Sequence, residues 1–266
     1  MEKERCILVP YDFSNESNFA MEHAYEFAKK SALPIKLIHV VNSEKEIFDW
    51  KIEIEKVAKD FVKTHNIVVT TEVRAGNLYD TIYNYGLEVN TYLAVIGTHG
   101  IKTTDKVMKL VKPFMRIPFV LVQRPIMFGE YDKICCPITN SRYCRAKLQW
   151  VRHLDLLFKS KVILCPIEYK NNEQKKELTK NLQFATDLFA EYAIDFDIHN
   201  IPEKDVEDAL YDYMYEIEPD IVLFMTDKYK QIIHDIQKPQ NKELQKKILV
   251  MCVNNRTDIA KIGGFN

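Results

Sequence analysis

The residues best suited to bind a small molecule lie where predicted strands end. Asp12 follows the first apolar run, and Gly97-Thr98-His99-Gly100 follows the fourth. The Asp12 carboxylate can accept hydrogen bonds from a ribose hydroxyl or hold a metal ion. Alternatively, it is an acid at a helix N-terminus that interacts with the backbone and the helix dipole. The two glycines let backbone amides approach a phosphate, although a tight turn uses glycine for the same geometric reason.

These residues converge only in an open parallel sheet, because such sheets bind ligands outside the carboxyl ends of their strands. The sequence predicts this α/β fold, since short apolar runs alternate with longer stretches of helical period. The runs are continuously apolar, so helices are expected on both faces of the sheet. In the first half we predict five strands, at residues 5–11, 35–41, 67–73, 92–96 and 118–122. Helices are expected after the capping residues Ser14 and Asn77, and at 47–61 and 102–112.

The second half of the chain repeats the first. Two offsets that differ by one residue align four separate stretches: 127 places 9–12 on 136–139 and 35–37 on 162–164, and 128 places 80–85 on 208–213 and 93–98 on 221–226. This agreement indicates a tandem repeat of one structural unit. The predicted domains are residues 1–124 and 131–253, followed by a polar tail at 254–266.

Composition argues against several classes of protein. The 37 basic and 38 acidic residues give a formal charge of −1, which leaves no net field to attract a nucleic acid. No apolar run approaches the roughly 18 residues of a membrane span, and we expect a cytoplasmic protein without a membrane partner. The six cysteines show no C-x-x-C spacing and are expected to be buried, reduced thiols. His39 is predicted to be a core or edge residue of its strand.

The motifs together resemble the universal stress proteins, in their tandem two-domain form. The resemblance runs through nearly all of residues 4–123 and is carried by Ile7-Leu-Val-Pro-Tyr-Asp-Phe-Ser14, Leu37-Ile-His-Val-Val41, Arg74-Ala-Gly-Asn77, Ala94-Val-Ile-Gly-Thr-His-Gly100 and Ile117-Pro-Phe-Val-Leu-Val-Gln123. It implies two doubly wound, five-stranded parallel sheets of the adenine nucleotide α-hydrolase-like type. It also implies that the domains pair through their last strands within one chain, and a homodimer is a further possibility.

For nucleotide-binding members, the resemblance implies a site for ATP or AMP in the first domain. The Asp matching Asp12 lies at the nucleotide, the residue matching Val41 contacts adenine through its backbone, and the glycines matching Gly97 and Gly100 begin the phosphate loop. The predicted site is Pro10, Tyr11, Asp12, Val41, Gly97, Thr98, His99 and Gly100.

One part of the family's phosphate loop is missing from this sequence. The family's loop continues for about nine residues to Gly-Ser or Gly-Thr, but here that count ends at Leu110-Val111. Each lost charge-assisted hydrogen bond costs about 1.5–3 kcal/mol, so nucleotide binding is expected to be weak. In the second half, Thr139 replaces Asp12 and Met225-Thr-Asp-Lys228 replaces the glycine loop, so no nucleotide site is expected there.

Three functions stay open at this point. The favoured one is a non-catalytic stress-response or regulatory protein with weak adenine-nucleotide binding in the first domain. The second is a slow nucleotide hydrolase that acts through Asp12, His99 and Gly100, although the sequence contains no P-loop, nucleophile-elbow or His-x-x-x-His motif. The third is an interaction module whose pocket is vestigial or holds another small ligand.

Overall fold

The computed structural model describes residues 4–98, 117–127, 129–225 and 247–253. The chain divides into two compact units, Met1–Phe128 and Gly129–Asn266. None of the helices in the described part of the chain has both the length and the hydropathy needed to cross a membrane. Each unit contains a set of parallel strands joined by helices, which confirms the predicted α/β class.

The first unit contains five parallel strands in its described residues: β1 (Cys6–Pro10), β2 (Ile35–Val41), β3 (Val69–Ala75), β4 (Thr91–Gly97) and β5 (Phe119–Val122). Within the described residues, three helices join β1 to β2, β2 to β3 and β3 to β4: α1 (Asn15–Ser31), α2 (Ile47–His65) and α3 (Leu78–Glu88). The strand order is β3-β2-β1-β4-β5, so the order reverses between β1 and β4. The predicted helix at 102–112 lies outside the described residues.

Helix capping occurs as the sequence predicts. The Ser14 hydroxyl accepts a hydrogen bond from the Ser17 amide at 3.1 Å, and this bond starts α1. The Asn77 side chain accepts from the amides of Tyr79 and Asp80 at 3.1 and 3.2 Å, and these bonds start α3. Each cap satisfies amides that have no partner inside the helix.

Strand β3 begins two residues later than predicted. Its pairing with β2 runs from Ile35 opposite Val69 to Val41 opposite Ala75. The preceding Val68 is 64% exposed, although hydropathy alone places it in a strand. Because β3 is an edge strand with little of its surface buried, pairing rather than hydrophobic pattern sets its limits.

The second unit has the same strand order as the first. Its strands are β6 (Lys133–Ile138), β7 (Lys161–Glu168), β8 (Phe196–Ile198), β9 (Ile201–Pro202), β10 (Ile221–Met225) and β11 (Leu249–Val253). Its helices are α4 (Cys144–Phe158), α5 (Asn172–Glu191) and α6 (Val206–Ile217). The order is β11-β10-β6-β7-β8, and β9 also pairs with β7. The third strand of this unit is therefore interrupted, with β8 and β9 on either side of residues 199–200.

All six cysteines are free and buried, as the sequence predicts. Burial raises the pKa of the Cys6 thiol from 9.0 to about 11, since desolvation penalises the thiolate. Desolvation likewise raises the pKa of Cys136 to about 12, although the Lys147 ammonium opposes this shift. These thiols are therefore protonated at neutral pH.

This burial makes stability fall at alkaline pH. The pKa of Cys136 is 9.0 in the unfolded chain and about 12 in the folded chain, so the folded chain keeps this proton to a higher pH. The contribution of the neutral thiol to the free energy of unfolding is therefore complete below pH 9 and is lost as the pH rises toward 12. The slope of the unfolding free energy against pH measures how many protons are released on unfolding. We expect Cys136→Ala to reduce this slope at alkaline pH by the equivalent of up to about one proton. Urea unfolding between pH 7 and 11 measures the slope, and packing losses shift both ends of the curve equally. An unchanged slope would contradict the assignment.

Candidate functional site

The carboxyl ends of three neighbouring strands form one edge of the first unit. β2, β1 and β4 are adjacent, and the strand order reverses between β1 and β4, where open parallel sheets bind ligands. Six of the eight predicted site residues lie along this edge: Pro10, Tyr11, Asp12, Val41, Gly97 and Thr98. His99 and Gly100 lie outside the described residues.

Tyr11 ties the end of β1 to its neighbours. Its amide donates to the Ile38 carbonyl at 2.8 Å, and its carbonyl accepts from Nδ1 of His39 at 2.7 Å. Its hydroxyl donates to Oδ1 of Asn18 on α1 at 2.5 Å. Burial, and then the adjacent Asp12 carboxylate, raise the pKa of this phenol. The buried Tyr11 side chain therefore holds the loop in place, and its polar atoms contact the protein.

Asp12 is exposed and stabilises the start of α1. Its Oδ1 accepts from the Ser14 amide at 3.1 Å and from the Ser14 hydroxyl at 2.5 Å. These bonds match the second of the two roles considered for Asp12, that of an acid at the N-terminus of a helix. Within the described residues, no group of three His, Cys, Asp or Glu side chains is arranged to hold a metal ion. The role of Asp12 toward a ribose stays a prediction.

Val41 ends β2 at the same edge. Its carbonyl accepts from the Gly76 amide at 3.0 Å. Gly76 has a φ of +148°, and an added Cβ would lie 2.7 Å from Oγ1 of Thr81, so glycine is required there. A ligand that binds the Val41 carbonyl must therefore share it with Gly76.

Gly97 and Thr98 each have a structural role. A Cβ at Gly97 would lie 2.3 Å from the carbonyl oxygen of Glu16 and 2.7 Å from the amide of Ser17, both backbone atoms of α1. The Thr98 amide and hydroxyl both donate to the Val122 carbonyl, at 2.9 and 3.3 Å. Packing of α1 and pairing with β5 thus account for these residue types, and their phosphate-loop role stays a prediction.

Arg74, in the motif before Asn77, is committed to carboxylates. Its Nε donates to Glu72 at 2.9 Å, and its two terminal nitrogens donate to Glu88 at 2.8 and 3.1 Å. The guanidinium also lies 4.6 Å from the centre of the Tyr85 ring. Hydrogen bonding to Glu88, and then to Glu72, raises the pKa of Arg74 despite partial desolvation. Its charge is balanced within the protein.

An aromatic cluster of Tyr11, Phe13, His39 and Trp50 lies at this edge, and sequence reasoning missed it. Ring centres are 5.1 Å apart for Phe13 and His39, 5.0 Å for Phe13 and Trp50, and 4.8 Å for His39 and Trp50. The Tyr11 and Phe13 rings are also 5.1 Å apart. The sequence positions could have indicated this cluster, because Phe13 directly follows the predicted site residue Asp12 and His39 lies two residues before the predicted site residue Val41.

The corresponding loop of the second unit is bound by its own buried side chains. Asn181, 2% exposed, donates to the carbonyls of Thr139 and Ser141 at 2.9 and 2.8 Å. Lys147, also 2% exposed, donates to the Pro137 carbonyl. The Thr139 hydroxyl lies 3.1 Å from the Cys144 sulfur. Thr139 therefore makes internal contacts where Asp12 is exposed, and the expectation of no nucleotide site here stays a prediction.

The strand order and the edge residues define a doubly wound α/β protein whose candidate site lies where the strand order reverses. Residues 5–110 match the model of the universal stress protein family. The first unit therefore carries a universal stress protein domain, as its motifs predict.

Solved structures share this architecture over almost the whole chain. A universal stress protein from Archaeoglobus fulgidus DSM 4304 is 12% identical, with 96% of this chain and 100% of that chain covered and a TM-score of 0.68. A functionally unknown protein from Pseudomonas aeruginosa PAO1 is 11% identical, with 98% and 96% covered and a TM-score of 0.65. The cytoplasmic domain of a prokaryotic cation chloride cotransporter is 11% identical, with 95% and 96% covered and a TM-score of 0.57. No curated protein sequence matches the chain. At these identities the likeness shows the fold alone.

The contact at Gly97 predicts a large effect of one methyl group. We expect Gly97→Ala to lower the unfolding free energy by about 1–3 kcal/mol or more, because the Cβ must displace the backbone of α1. Urea unfolding of nucleotide-free protein measures this loss apart from any ligand. Thr98→Ser keeps both donors to Val122 and serves as the control, with a smaller loss of about 0.8 kcal/mol for its buried methyl group. Wild-type stability of Gly97→Ala would show that the contact is absent.

Proposed function

We propose that the first unit binds an adenine nucleotide at the carboxyl edge of β1, β2 and β4, and that the protein is a non-catalytic regulator that responds to this nucleotide. The observation that carries the proposal is the arrangement of Asp12 and Val41 within a universal stress protein domain. Asp12 follows β1, and Val41 is the last residue of the neighbouring strand β2. The exposed carboxylate of Asp12 and the backbone of Val41 therefore lie at the same edge of the sheet. A ribose and an adenine base fit these two features.

The nucleoside part is expected to contribute most of the affinity. The first turn of α1 favours anions weakly, since Ser14 already caps the Ser17 amide and the Glu16 carboxylate lies in that turn. Both donors of Thr98 are bonded to β5. The sequence also lacks the Gly-Ser or Gly-Thr that completes the family's phosphate loop. Additional phosphates therefore gain few hydrogen bonds from these groups.

Calorimetric titration of metal-stripped protein with AMP, ADP and ATP, with and without Mg²⁺, tests the proposal. We expect the three nucleotides to bind within about tenfold of one another. Asp12→Asn should weaken each by about 10- to 100-fold, because a hydrogen bond to a charged group contributes about 1.5–3 kcal/mol. The asparagine oxygen can still accept from Ser14. Asp60→Asn removes the same charge from an exposed position on α2 and should bind like wild type.

Other outcomes favour the other functions. No heat with any nucleotide would contradict the proposal and favour an interaction module with a vestigial pocket. Phosphate release that requires Mg²⁺ and is lost in Asp12→Asn would identify a slow hydrolase instead. A thousandfold preference for ATP over AMP would mean that the phosphates, rather than the nucleoside, dominate binding.

A further inference from the structure

One ring nitrogen of His39 is bonded to Tyr11, and the other accepts from no donor among the described residues. The ring is 9% exposed, and Nδ1 lies 2.7 Å from the Tyr11 carbonyl. A carbonyl only accepts, so Nδ1 carries the hydrogen, and Nε2 of the neutral ring is then a bare acceptor. Among the described residues, no donor lies within hydrogen-bond distance of Nε2. Nε2 is not among the buried polar atoms without a partner in the described residues, so it is open to solvent, and a bound group that donates a hydrogen bond can replace water there.

The rings around His39 suit a planar ligand. Phe13 and Trp50 are half-buried, and their ring centres lie 5.1 and 4.8 Å from that of His39. Phe13 has a φ of 65°, which is unusual for a residue other than glycine. The loop thus holds a phenyl ring against His39 and Trp50 in a backbone conformation that such a residue disfavours. Aromatic faces bind the faces of nucleobases, and they do so with little regard to base identity.

The position of these three residues connects them to the proposed nucleotide site. Phe13 is next to Asp12, and His39 lies two residues before Val41, on the same face of β2. The bond from His39 to the Tyr11 carbonyl also joins β2 to the loop that carries Asp12. A base near Val41 and a ribose near Asp12 would therefore lie beside this cluster.

We propose that Phe13, His39 and Trp50 form a base-selecting surface for a planar heterocycle with an exocyclic amino group. The proposal rests on the nucleotide site proposed above and names the feature of the base that is recognised. Phe13 and Trp50 contact the ring, and Nε2 of His39 accepts from the 6-amino group of adenine. The 6-oxo group of hypoxanthine is itself an acceptor, so it leaves Nε2 without a donor and places two lone pairs together.

Competition between AMP and IMP tests this selectivity, since the two differ at the 6-position and in the N1 proton that accompanies the oxo form. We expect wild-type protein to bind AMP at least about tenfold more tightly than IMP. His39→Asn places an amide nitrogen near the position of Nδ1, so the bond to Tyr11 can persist while the Nε2 acceptor is lost. This variant should bind AMP and IMP within about twofold of each other. His39→Phe keeps the ring contacts, removes both nitrogens and should lose the preference as well.

Fluorescence gives a second readout. The chain has two tryptophans, Trp50 and Trp150. AMP should change the emission of wild type and of Trp150→Phe, and this change should disappear in Trp50→Phe. Circular dichroism and urea midpoints show which variants are folded, and Trp50→Phe remains informative if a His39 variant does not fold.

The outcomes separate the two proposals. Equal binding of AMP and IMP by wild type, or a preference that survives in folded His39→Asn, would overturn base selection by His39 and leave the nucleotide site standing. A silent Trp50 during AMP binding would overturn the contact with the aromatic cluster. If neither AMP nor IMP binds, both the proposed function and this inference are overturned.

Discussion

The first turn of α1 lies so close to the end of β4 that position 97 has no room for a side chain. This contact fixes the start of α1 relative to the strand at which the sheet order reverses. Ser14 begins the helix and Asp12 holds Ser14, so the loop after β1 depends on the same contact. A Cβ at position 97 would clash with the first turn of α1, and any displacement of that turn would be passed to Ser14 and Asp12. The glycine is therefore needed to build the edge, whatever it contributes to a ligand.

The other end of this loop is held by the sheet. Tyr11 bonds to Ile38 and His39 of β2 and to Asn18 of α1, so three elements meet at one residue. Buried hydrogen bonds of this kind fix geometry because breaking one leaves a polar group without a partner. The loop is thus held by α1 on one side and by β2 on the other. Phe13 and Asp12 lie between these two supports and are more exposed than Tyr11.

Sequence patterns predicted the elements better than the contacts between them. Continuous apolar runs reveal buried strands, and the capping roles of Ser14 and Asn77 follow from local chemistry. Hydropathy could not show that β3 begins at Val69, because pairing with β2 sets that limit. The break in the third strand of the second unit was likewise missed. It lies at residues 199–200, between β8 and β9.

The candidate site shows the same division. The sequence identified Gly97, but the reason for it is an approach of α1, which periodicity does not report. His39 was predicted to be a core or edge residue, and its burial agrees, yet its bond to Tyr11 depends on the tertiary fold. In the second unit, Lys147 and Asn181 lie in the buried stripes of α4 and α5, although these residue types are usually exposed. Their hydrogen bonds to the loop after β6 could be found only from the structure.

The loop after β1 and the end of β2 are the proposed binding site for the nucleoside part of an adenine nucleotide. The most direct test is nuclear magnetic resonance of the isotopically labelled full-length chain during titration with AMP. We expect shifts of the backbone amides of residues 11–14, of the Val41 amide and of the Trp50 indole, while residues 139–141 of the second unit stay unchanged. Shifts confined to the second unit, or AMP binding that leaves residues 11–14 and Val41 unmoved, would contradict the account.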